Sequence, residues 1–168
     1  MPINLRRALA NEPDNVRQNY GEPGWKFLGL LKTLLDVGEN VVGGGEIGHP
    51  TSETYFDSMD VYVNREMEKG LETERTAPAK FDEGEVFSLE EGVDRMVAMK
   101  LFTIRSAEFH YPEDRIGSLE VGKYTDFTVI DKDYLSGPDT KVRDNKVLMT
   151  ILAGEARYKD PGYTPVER

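Results

Sequence analysis

The run Ile116-Gly-Ser-Leu-Glu-Val-Gly-Lys-Tyr-Thr-Asp-Phe-Thr-Val-Ile-Asp131 sets two glycines, Gly117 and Gly122, in a polar turn that leads into an apolar stretch. Phe127 to Ile130 are aromatic or β-branched, the side chains that suit a pleated, half-buried surface. Asp126 and Asp131 flank them, and aspartates at such places shape turns by hydrogen-bonding nearby backbone. Further on, Val147-Leu-Met-Thr-Ile-Leu-Ala-Gly-Glu-Ala-Arg-Tyr158 reads as two strands around a tight Ala153-Gly154 turn. Strands are expected at 127–131, 147–153 and 155–158, with a weaker one near 119–121.

Upstream of this β-rich end the chain reads as helical. Residues 24–37 place Trp25, Leu28, Leu31 and Leu35 at spacings of three and four, with Phe27, Leu30 and Leu34 widening the stripe. Gly38 follows as a C-cap candidate. Val41 and Val42 then run into Gly43-Gly-Gly-Glu-Ile-Gly-His-Pro50, read as a short buried strand opening into a glycine-rich turn. Helix, short loop, strand and functional-looking turn, in that order, is what an α/β barrel shows at its last strand. Residues 51–70 read as a helix on Tyr55, Met59, Tyr62, Val63 and Met67, and 71–86 as a charged linker. Ser88-Leu-Glu-Glu91 has the form of a capping box. The helical face behind it is Leu89, Val93, Met96, Val97 and Leu101, and a second short helix is expected over 102–109.

Composition narrows the function classes. The chain has 168 residues and a net charge of −10, which disfavours nucleic acid and anionic membrane as partners because their phosphates would be repelled. It has no cysteine, which excludes disulfides, thiolate metal sites and a cysteine nucleophile. No apolar run approaches the roughly 18 residues of a membrane span. Met1-Pro-Ile-Asn-Leu-Arg-Arg7 has no apolar core behind its positive charge, so a cytoplasmic location is expected. No serine sits in a Gly-x-Ser-x-Gly elbow. Gly43 to Gly45 lack the lysine and hydroxyl residue of a phosphate-binding loop.

The segment Gly117 to Lys123 followed by Asp126, together with the 147–158 hairpin, resembles the C-terminal signature of the amidohydrolase superfamily, closest to its amidohydrolase-3 branch. The likeness is collinear from about residue 25 to 158. It takes in the Leu34–Pro50 helix–strand–turn, Tyr62-Val-Asn-Arg65 near a helix end, and the Ser88–Leu101 helix. It implies hydrolysis of amide or cyclic amide C–N bonds by a metal-activated water, with zinc as the expected ion and a small amide as substrate. It also implies that the chain is shortened, because a complete (β/α)₈ barrel needs about 250 residues.

Glu46 stands where the family places its last-strand aspartate, and His49 follows three residues later. These two are the candidate catalytic and metal-ligating residues. A catalytic zinc usually takes three protein ligands, and the chain has two histidines, His49 and His110, and no His-x-His pair. His110, between Phe109 and Tyr111, reads as a packing or surface histidine. Lys123, Asp126 and Asp131 read as turn-shaping residues.

The expected fold is α+β: helices from the end of an amidohydrolase-type barrel packed on a small β-sandwich-like module. Residues 1–22 form an N-terminal arm, 23–110 a mainly helical segment resembling the last barrel units, and 111–168 the β-module. Uncovered strand edges invite pairing, so a homo-oligomer or a second chain is the expected partner. The alternative reading is a non-catalytic association or structural module, which needs no cofactor.

Overall fold

A computed structural model describes residues 2–3, 19–21, 29–44, 54–66, 86, 88–110, 113–136 and 142–165. The chain is α+β. Strand β1 (Pro2–Ile3) pairs in parallel with β2 (Val42–Gly43), and helix α1 (Leu31–Asp36) lies between them in sequence. Parallel strands need a crossover connection, usually helical. The first residues of the supposed arm are thus part of a sheet. The expected beginnings of the 24–37 helix at Trp25, Phe27 and Leu28, the 71–85 linker, and the turn beyond Gly44 lie outside the described residues.

Helix α2 (Tyr55–Asn64) begins at a true capping box. Thr54 Oγ1 accepts from Asp57 N at 3.3 Å, and Asp57 Oδ2 accepts from Thr54 N at 2.6 Å. Two of the orphan donors of a helix start are satisfied in this way. The helix ends at Arg65, whose backbone is left-handed with φ 54°. Phe56, Ser58, Met59, Asp60, Val61 and Tyr62 are all buried, so α2 is enclosed on more than one side. One cluster joins Val61 and Tyr62 to Leu31, Val41, Ala98 and Leu101. The other joins Phe56 and Met59 to Tyr134 and Val142.

The capping box expected at Ser88 does not form. Ser88 has φ 41° and makes no side-chain capping bond, and Leu89–Glu91 is a single 3₁₀ turn. Glu91 is instead drawn to α1, where Oε2 accepts from Thr33 N at 2.9 Å and Oε1 from the Thr33 hydroxyl. The long helix α3 (Arg95–Phe102) starts later, capped by Asp94, whose Oδ1 accepts from Val97 N at 2.8 Å. Thr103 interrupts the helix, and α4 (Ile104–His110) follows, close to the expected second helix.

The C-terminal sheet is antiparallel in the order β3 (Phe127–Ile130), β4 (Val147–Leu152), β5 (Glu155–Lys159). All three expected strands are present to within a residue or two, whereas 119–121 forms no strand. Asp126 Oδ1 accepts from Ala153 N at 2.6 Å, and Asp131 Oδ1 accepts from Lys146 N at 2.7 Å. Each aspartate therefore ties one end of β3 to the far end of its neighbour. The hairpin turns with φ 51° at Ala153 and 80° at Gly154, the two positive values that a tight two-residue loop requires. Gly117 shows why the signature opens on glycine. Its φ is +91°, and a Cβ there would stand 2.7 Å from the Ala107 Cβ on α4.

Two polar links dock this sheet onto the helices. Asp60 is fully buried and accepts from Arg143 N at 3.2 Å and Arg143 Nε at 2.9 Å. Asn64 Nδ2 donates to Asp60 Oδ1 at 2.9 Å. Arg95 Nη1 donates to Tyr134 O at 3.0 Å, and the Tyr134 hydroxyl donates to Arg95 O at 3.1 Å.

Burial pushes the Tyr134 hydroxyl up to about 12, with Arg95 opposing the shift. A raised folded-state pKa means that the native state holds its proton longer than the unfolded chain does. The stability this supplies is complete below about pH 10 and is lost as pH rises towards 12. Urea midpoints of the wild type are expected to fall across that window. Tyr134→Phe should cost about 1 kcal/mol at pH 8 and fall less steeply above pH 10. Equal slopes in the two proteins would refute the assignment.

Candidate active site

Strand β2 ends in the glycine run that precedes Glu46 and His49 in the sequence. Val41 and Val42 are buried, and Val41 packs in one cluster with Leu31 of α1 and Ala98 and Leu101 of α3. Gly43 is the last paired residue, and a Cβ built on it would lie 2.5 Å from the Phe102 ring. The ring of α3 therefore lies directly against the strand backbone, and only glycine admits it. Phe102 is in turn met edge-on by Tyr62 at 5.4 Å and by Tyr55 at 6.2 Å, geometries that aromatic pairs favour.

The Tyr62 hydroxyl reaches the next residue. It accepts from Gly44 N at 3.3 Å and donates to Gly44 O at 3.4 Å. The backbone is thus held up to two positions before Glu46. Glu46 and His49 themselves lie outside the described residues.

The other candidates are placed. His110 is exposed in the last turn of α4, with Nδ1 at 2.8 Å from Ser106 O, a surface histidine. Lys123 Nζ donates to Ser118 Oγ at 2.7 Å and meets Glu120 Oε1 at 3.4 Å. It is a turn residue. The hydrogen bond from Ser118, followed by Lys123, lowers the Glu120 pKa from its ordinary value.

Among the described residues no group of three or more histidine, cysteine, aspartate or glutamate side chains converges in a way that could hold a metal ion. They do not by themselves fit a metal centre. No helix among them is long and apolar enough to cross a membrane.

Phe102, Asp60 and Arg143 carry no motif that marks them in the sequence, and Tyr62 reads there only as an apolar helix position near Arg65. Asp60 leaves one clue, a carboxylate between the apolar Met59 and Val61 on a helix. Its partner is 83 residues away, and nothing local points to it.

A model of the amidohydrolase family, in its amidohydrolase-3 branch, matches residues 2–158. The chain belongs to the amidohydrolase family. The fold agrees: it is similar to an amidohydrolase from Thermotoga maritima MSB8 known from a crystal structure, with a TM-score of 0.53 and 15% identity. The similarity covers 86% of this chain and 29% of the Thermotoga chain, so this amidohydrolase-family chain spans less than a third of that protein's length. No curated protein matches.

Proposed function

We propose that this chain provides the last strand of an amidohydrolase-type barrel, together with a sandwich-like C-terminal module, and that the turn after β2 takes part in hydrolysing amide or cyclic amide C–N bonds. The supporting observation is that β2, paired in parallel with β1, stands a few residues before Glu46 and His49 in the sequence. The family match over residues 2–158 encloses this whole arrangement. A metal ion, zinc on the sequence reading, would supply the activated water. Glu46 would be the carboxylate that takes its proton. The remaining barrel would come from polypeptide outside these 168 residues.

Purified protein should contain stoichiometric zinc and turn over members of a panel of small amides and lactams. Glu46→Ala should lose both metal and turnover. A metal-free wild type that hydrolyses nothing on the panel would overturn the proposal. The second reading, a non-catalytic association module, would then stand. It is favoured by the histidine count, two in the whole chain against the several ligands a catalytic ion needs.

A further inference from the structure

We draw no further inference here: the strongest candidate, the uncharged edge strand β3 (Phe127–Ile130) of the C-terminal sheet, opposite the charged edge strand β5 with Glu155, Arg157 and Lys159, carries nothing because nothing among the described residues shows what covers it.

Discussion

Asp60→Ala should destabilise this chain by about 4 kcal/mol, the typical cost of leaving one half of a buried ion pair without its partner. Asp60 is completely buried, and three donors on Arg143 and Asn64 converge on it along with the Arg143 backbone. Removing the carboxylate takes the Asp60 contact from a guanidinium whose side chain is only 14% exposed. The loss is large against the roughly 5–15 kcal/mol that holds a whole domain together. It should appear as a lower urea midpoint and as loosening of the 127–159 sheet, because this pair joins α2 to the turn that leads into β4. Asp60→Asn, which keeps an acceptor but no charge, should cost less. Asp60→Leu combined with Arg143→Met should recover most of the stability, since a well-packed apolar pair avoids the desolvation cost. A double variant as weak as Asp60→Ala would show that the charges themselves hold the joint, and a single variant within about 0.5 kcal/mol of wild type would show that the joint does not matter.

Glu91→Ala should rank next, at about 3 kcal/mol. Glu91 accepts from the backbone and hydroxyl of Thr33, and its charge supports Arg65. Arg65 is fully buried at the end of α2 and donates to Gly29 O at 3.2 Å, just before α1. Burial pulls its guanidinium down to about 10, and Glu91 is the first of the charges opposing that pull. The group therefore stays charged at neutral pH, and deleting Glu91 removes the first of the charges that support it. The backbone N–H of Thr33 loses its acceptor in the same substitution. Glu91→Gln retains an acceptor for Thr33 and should fall between wild type and alanine. Urea denaturation of the three proteins at pH 7 gives the ranking. Alanine and glutamine variants of equal stability would mean that the charge on Arg65 needs no support.

These two positions show where sequence reading stops. Glu91 looks like the last residue of a capping box, and Ser88 like its serine. Local chemistry supports that reading, yet the carboxylate bonds to Thr33 on another helix, and the helix begins instead at Asp94. The tertiary contact wins because a buried carboxylate must be fully hydrogen-bonded, whereas an exposed cap is worth only about 1 kcal/mol. Thr54 and Asp57, the pair that does form a capping box, carry the same Ser/Thr-x-x-acid spacing at the start of a plain helical stripe, a signal the helix reading of 51–70 passes over. Within the candidate site, the residues that stand at the end of β2 are legible as a glycine-rich turn after two valines. Glu46 and His49 are proposals from resemblance, and they lie outside the described residues.

The amino-acid order alone determined the family, the three C-terminal strands and the α+β class. All of these depend on local signals: alternation and turn glycines with positive φ. Only the tertiary structure decided that α2 would be enclosed by two apolar clusters, that Asp60 would meet Arg143, and that Tyr62 and Phe102 would lie against the end of β2. Those contacts join residues tens of positions apart. Their energy comes from burial and from satisfying polar groups once water is excluded, and nothing in a short window of sequence reports which distant partner will be there.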